Sequence, residues 1–143
     1  MMVKRAIKAM HSVNRELIQL YWDIGRLIVE RQDQEGWGKS IVDRQANDIQ
    51  KAFPGLQGFS TVNVWRMRAF YLAYRPNAPI LSQAVTEIDA SRPPQAVGHI
   101  PWGHNQVLLF KLKDPAERLW YGAKTLEHGW SRAVLTLQVE SNL

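Results

Sequence analysis

The sequence predicts an all-α fold, and three observations carry that expectation. Apolar residues recur at steps of three and four through the first quarter of the chain, the spacing of one face of a helix. Four positions carry the signature of a helix start: an aromatic, then a small or capping residue, then an aliphatic one turn further in. The period-two alternation of a half-buried strand is missing apart from short, ambiguous apolar runs. With 143 residues and 45% apolar content, a single domain over residues 1–143 has enough material for a core without disulfides or metals.

From Val3 to about Gln34 the residues Val3, Ile7, Met10, Val13, Leu17, Tyr21, Ile24 and Ile28 mark one amphipathic helix, with no proline and a single internal glycine, Gly25. At 1.5 Å per residue it spans roughly 45 Å, longer than a domain of this size needs. Part of its stripe is therefore expected to pack on a second copy, giving a homodimer, the alternative being packing on the chain's own later helices. Gly36 is expected to end the helix as a positive-φ cap.

The next helix is expected over Lys39 to Phe53, with Ile41, Val42, Ala46, Ile49 and Ala52/Phe53 inside and Lys39, Asp43, Arg44, Asp48 and Lys51 outside. Pro54 cannot continue it, Gly55 and Gly58 supply positive φ, and Ser60 caps the helix that follows. That helix, Thr61 to about Tyr74, is apolar around most of its circumference and must be largely enclosed. Together the two read as a helix-turn-helix.

Five of the seven prolines (Pro76, Pro79, Pro93, Pro94 and Pro101) fall between Arg75 and Pro101, which marks residues 76–101 as a connector with room for one short helix at Ile80 to Ile88. Residues 102–143 are expected to form three short helices. One covers Gly103 to Lys111. A second opens at Asp114-Pro115-Ala116-Glu117, where Asp caps, Pro takes the first helical position and Glu completes a capping box, and it stops at Gly129. The last starts at Ser131. The four staple pairs are Trp37 with Val42, Phe59 with Val64, Trp102 with Val107 and Trp130 with Leu135.

The net charge of +5 is unevenly placed. Residues 1–75 hold 12 Lys/Arg against 7 Asp/Glu, and residues 76–143 hold 6 against 6, so the whole excess lies in the half with the helix-turn-helix and favours a polyanionic partner. The chain has no cysteine, which excludes disulfides and thiolate zinc sites and fits a reducing compartment. No run reaches membrane-spanning length and the N-terminus lacks a signal peptide's apolar core; a cytoplasmic protein without membrane contact is expected.

Catalytic chemistry finds no foothold. Gly38-Lys39-Ser40 lacks the glycine a phosphate-binding loop needs five residues before Gly38, where Asp33 stands. Gly58-Phe59-Ser60 lacks the second glycine of a nucleophile elbow, where Val62 stands. His11, His99, His104 and His128 show no metal-ligand spacing. No Asp or Glu is followed two residues later by Lys, so the acidic-x-Lys pair of metal-dependent nucleases is missing. No catalytic residue, metal, cofactor or small-molecule substrate is expected.

What remains is the leading turn of the helix after the turn. Ser60, Thr61 and Asn63 are offered there to base edges or phosphates, with Arg66, Lys39 and Arg44 to neutralise backbone charge, so these six are the candidate DNA-binding residues and duplex DNA the candidate partner.

Several stretches together resemble a known family. Leu20-Tyr21-Trp22-Asp23-Ile24-Gly25, Gly36-Trp37-Gly38-Lys39-Ser40, Phe53-Pro54-Gly55, Gly58-Phe59-Ser60, Met67-Arg68-Ala69-Phe70-Tyr71, Ile100-Pro101-Trp102-Gly103-His104-Asn105 and Gly129-Trp130-Ser131-Arg132 are similar to the N-terminal domain of the YhcG-like bacterial proteins. In that family a helical, helix-turn-helix-like domain precedes a PDDEXK-type nuclease domain. The resemblance runs from about Ser12 to Ser141 and implies a DNA-associated, non-catalytic module that positions a nuclease domain lying beyond this chain. It departs at Thr61 and Val62, where relatives often carry basic residues. The alternative expectation is a protein-interaction or dimerisation domain without nucleic-acid contact.

Overall fold

A computed structural model describes the backbone of residues 2–35, 39–55, 57–75 and 91–141, and the side chains of residues 5, 9–10, 12–34, 42–55, 57–75 and 91–141. The expected cap at Gly36, the Trp37–Val42 staple, the Lys39 side chain and the short helix at Ile80 to Ile88 lie outside the described residues. The fold is all-α, and among the described residues no strand occurs. Among the described residues its helices are α1 (Met2–Glu35), α2 (Lys39–Ala52), α3 (Thr61–Tyr74), α4 (Gln95–Gly98), α5 (Trp102–Lys111), α6 (Pro115–His128) and α7 (Arg132–Ser141). None of them, among the described residues, is long and apolar enough to cross a membrane.

The main contact of the fold is α1 on α3, and Gly25 determines how close the two come. A Cβ at Gly25 would collide with the Met67 carbonyl oxygen and lie 3.1 Å from the Tyr71 Cβ. Helix α1 therefore turns its glycine face inward, burying Ile18, Trp22, Ile28, Val29 and Gln32. The stripe expected from the sequence divides as a result: Tyr21 and Ile28 go to the core, while Met10, Val13 and Leu17 remain exposed. Trp22 meets the rings of Phe70 at 5.6 Å and Tyr71 at 4.8 Å, both edge-on. Burying a side chain of this size contributes about 2–3 kcal/mol, so this aromatic layer is a large part of what joins α1 to α3.

Helix α3 is enclosed as its composition requires, with Val64, Met67, Phe70, Tyr71 and Tyr74 buried. The expected inward set of α2 holds for Val42 and Ala46, which are buried, and Ile49 packs against the core. Phe53, expected inside, is 61% exposed. Helix α2 ends one residue earlier, and Phe59 enters the core instead, edge-on to Tyr21 at 6.1 Å.

The second half is tied together by side chains that collect backbone carbonyls. The buried Asn105 donates from Nδ2 to the carbonyls of Val97 at 3.0 Å, Ile100 at 3.2 Å and Pro101 at 3.3 Å. This draws in the end of the Pro-rich stretch, so α4 is packed through the buried Val97, and Ile100 just after it is buried too, where the sequence reads as connector. Arg118 donates to the carbonyls of Leu108, Leu109 and Leu112, the last at 2.7 Å, satisfying acceptors that the end of α5 would otherwise leave without partners.

Three of the expected helix boundaries in this half match the structure. Asp114 accepts from the Ala116 N–H at 3.3 Å, and Gly129 closes α6 at φ 65°. Ser131 accepts from the Val134 N–H at 3.1 Å. The start of α5 differs from expectation: Pro101 stands at the cap and Trp102 is the first helical residue.

Candidate nucleic-acid interface

Between α2 and α3 Gly55 stands at φ 84° and Gly58 at φ 92°, backbone angles that residues with a Cβ rarely adopt. Gln50 Nε2 donates to the Phe59 carbonyl at 2.8 Å, fixing the turn to the end of α2. Ser60 is an N-cap in the expected sense: its Oγ accepts from the Asn63 N–H at 3.2 Å.

The Asn63 side chain is engaged at both ends. Its Nδ2 donates to the Gly58 carbonyl, and its Oδ1 accepts from the Trp102 indole N–H at 2.8 Å. One amide thereby holds the turn and fastens α3 to α5. The Trp102 ring is itself fixed against Tyr21 at 4.9 Å and Phe70 at 5.5 Å. For Asn63 to read a base edge, both bonds would have to break.

Arg66 lies one turn further along. Its Nη1 donates to Gln106 Oε1 at 3.1 Å, and its guanidinium sits 5.6 Å from the centre of the Phe110 ring. Its remaining N–H donors stay available for a phosphate. Arg68 points to the other side, donating from Nε to the buried Gln32 at 2.7 Å and lying over Trp65. Burial, and then the charge of Arg75, lower its pKa.

Of the other sequence-derived site residues, Ser60 is exposed and Thr61 half-buried at the tip of α3, and Arg44 is exposed on α2. Lys39 is the first residue of α2, its side chain outside the described residues. Ser60, Thr61, Asn63 and Arg66 thus gather on the leading turns of α3, while Lys39 and Arg44 belong to a second helix. Within α3 only Val62 is exposed, so the helix has no free side to lay along a groove. What it can present is its tip.

Two residues at this tip are not among the sequence-derived candidates: Trp102, which bonds Asn63, and Gln106, which bonds Arg66. The Arg132 side chain lies over Gly103, next to Trp102 in sequence, its Cδ 3.3 Å from where a Cβ would stand. No local pattern announces the pair at the tip, because Trp102 and Gln106 both come from α5. The nearest signal is the Pro101-Trp102-Gly103 run, whose aromatic reads as a staple and in fact serves as a donor.

His104 and His128 are engaged within the fold. His104 Nε2 is 2.8 Å from the Trp130 carbonyl, and His128 stacks on the Trp130 ring at 5.4 Å. Burial, with the charge of Arg15, lowers the pKa of His99. Among the described residues no three His, Asp or Glu side chains group as a metal site.

Comparison with known families gives one match: the chain belongs to the DUF1016 N-terminal domain family, whose model matches residues 1–143. No curated protein and no solved structure matches it.

Proposed function

Proceeding from membership of the DUF1016 N-terminal domain family, we propose that this chain is a non-catalytic, cytoplasmic DNA-binding module that positions the PDDEXK-type nuclease domain of YhcG-like proteins. The observation that carries the reading is the charge distribution: the entire excess of five positive charges falls in residues 1–75, which hold α2, the turn and α3. The tip of α3 adds an exposed Ser60 hydroxyl and the donors of Arg66. These groups suit phosphates, not base edges, since Asn63 is committed to Gly58 and Trp102. The mode is therefore backbone contact with little sequence preference.

Fluorescence anisotropy with a labelled duplex tests it. The expected affinity is in the non-specific range, about 1–100 µM near physiological salt, weakening on a log–log salt plot by roughly 0.9 per phosphate contacted. Lys39→Ala with Arg66→Ala should lower affinity evenly across unrelated duplexes. No binding even at low salt would overturn the proposal. Unchanged affinity in the double variant would move the contact to another surface.

A second reading, an interaction domain without nucleic-acid contact, is favoured by one feature. The outer face of α1 exposes Met10, Val13, Leu20 and Leu27, and that face has its own consequence.

A further inference from the structure

Helix α1 has two apolar faces. One is buried against α3. The other is Met10, Val13, Leu17, Leu20, Ile24 and Leu27, spaced 3, 4, 3, 4, 3, which is the 3.5-residue period of a coiled-coil seam. Met10 is 70% exposed, Val13 64% and Leu27 50%, with Leu17 and Leu20 also open to solvent. The seam covers about 26 Å of helix. Its first half forms one wall of a groove of about 930 Å³ completed by Pro101, Leu126 and Trp130. Its second half forms a wall of a groove of about 390 Å³ completed by Ile49, Phe53 and Phe59.

We infer that this face is the seam of a two-fold dimer, in which α1 of a second copy lies antiparallel along it with the axis between Leu17 and Leu20. The occupant follows from the charges along the helix. Residues 1–15 contain Lys4, Arg5, Lys8 and Arg15 and no acid, whereas residues 16–35 contain Glu16, Asp23, Glu30, Asp33 and Glu35 against Arg26 and Arg31. An antiparallel partner lays the net-positive beginning of each helix alongside the net-negative end of the other, with positions 4–8 level with positions 29–33, a longer-range attraction because positions 4, 5 and 8 fall off the a/d seam. A parallel partner sets like charge against like.

The seam agrees with that direction. Its alternating positions read the same from either end, so reversal pairs position 10 with 27, 13 with 24 and 17 with 20, and every layer joins an a position to a d position. Such an interface is isologous and closes at two copies. Phe53 and Leu126, 61% and 43% exposed on the groove walls, extend the apolar contact beyond the two helices. This inference is independent of the DNA reading: a DNA-binding monomer refutes it, and a dimer that ignores DNA leaves it intact.

Sedimentation equilibrium and cysteine cross-linking test it together. The chain has no cysteine, so single introduced thiols report position without background. The chain should sediment with twice its 16.4 kDa mass at high concentration, and Leu17→Glu with Leu20→Glu should return it to a folded monomer whose melting temperature no longer rises with protein concentration. Mixing the Met10→Cys and Leu27→Cys variants under oxidising conditions should give a covalent dimer, while either variant alone gives far less. A monomer at every concentration overturns the inference, as does strong self-cross-linking of the Met10→Cys variant, the mark of a parallel pair. A stable dimer that survives the Leu17/Leu20 substitutions places the interface elsewhere and overturns it too.

Discussion

The leading turn of α3 and the outer face of α1 make opposite use of their side chains. The α3 tip is rich in polar groups, yet Asn63 is bound at both ends of its amide and Arg66 is already paired with Gln106. The α1 face has almost no polar chemistry, and it is the part of the described surface where large apolar side chains stand open in a regular row. Residue types alone therefore do not say which groups the fold leaves open to a partner. A donor or acceptor is available to a partner only after the fold's own requirements have been met, and an apolar side chain is structural only if something covers it.

The comparison breaks most visibly at Gly25. Gly25→Ala puts a Cβ into the Met67 carbonyl, so α1 and α3 must separate and the aromatic layer between them loosens. We expect a loss of about 3 kcal/mol in urea denaturation, with the helical circular dichroism retained until unfolding.

Next in size is Asn63→Ala, which leaves the Trp102 indole N–H and the Gly58 carbonyl without their partner. The expected cost is about 1–3 kcal/mol, read as a lower melting temperature, while DNA affinity measured well below that temperature stays within twofold. A large loss of affinity with no loss of stability would reverse the roles assigned here.

A third effect depends on pH. Burial pushes the Tyr74 hydroxyl well above its ordinary pKa of 10.0, and that hydroxyl has no hydrogen-bond partner. With the folded pKa above the unfolded one, the contribution of Tyr74 to stability is fully present below pH 10 and is lost as pH rises beyond it, because only the unfolded chain gives up the proton. Tyr74→Phe should be close to neutral at pH 7 and should flatten the decline in stability above pH 10, followed by denaturant titration at several pH values. The smallest effect belongs to the open face: Leu17→Glu should change the stability of the monomer by no more than about 0.5 kcal/mol.

Much of the fold is legible in the residues. The Ser60 cap, the positive φ of Gly55 and Gly58, the Asp114-Pro115 start and the Gly129 stop are local devices, and each acts where its chemistry places it. What is not legible depends on partners distant in sequence. Trp102 reads as a staple just outside a helix, but its indole reaches Asn63, 39 positions away, and the helix begins at Trp102 itself. The run after Pro93 reads as connector because its anchor, Asn105, lies beyond it. Phe53 and Phe59 are both aromatics at the edge of a turn, and only the packing around Tyr21 decides which one enters the core. In α1 a pattern of threes and fours cannot say which of two faces a single glycine turns inward. The site shares this limit: the residue types at the α3 tip are visible in the sequence, and their prior engagement is not.

The most direct test is a nuclear magnetic resonance titration of the chain with duplex DNA, following the Trp102 indole N–H and the Asn63 side-chain amide. If the α3 tip meets DNA through its exposed groups, the Ser60 and Thr61 backbone amides shift on titration while the Trp102 and Asn63 side-chain signals keep their positions and their protection from exchange. A saturable shift or loss of the Asn63 amide and Trp102 indole signals would show that Asn63 leaves the fold to meet the nucleic acid, and would contradict the account.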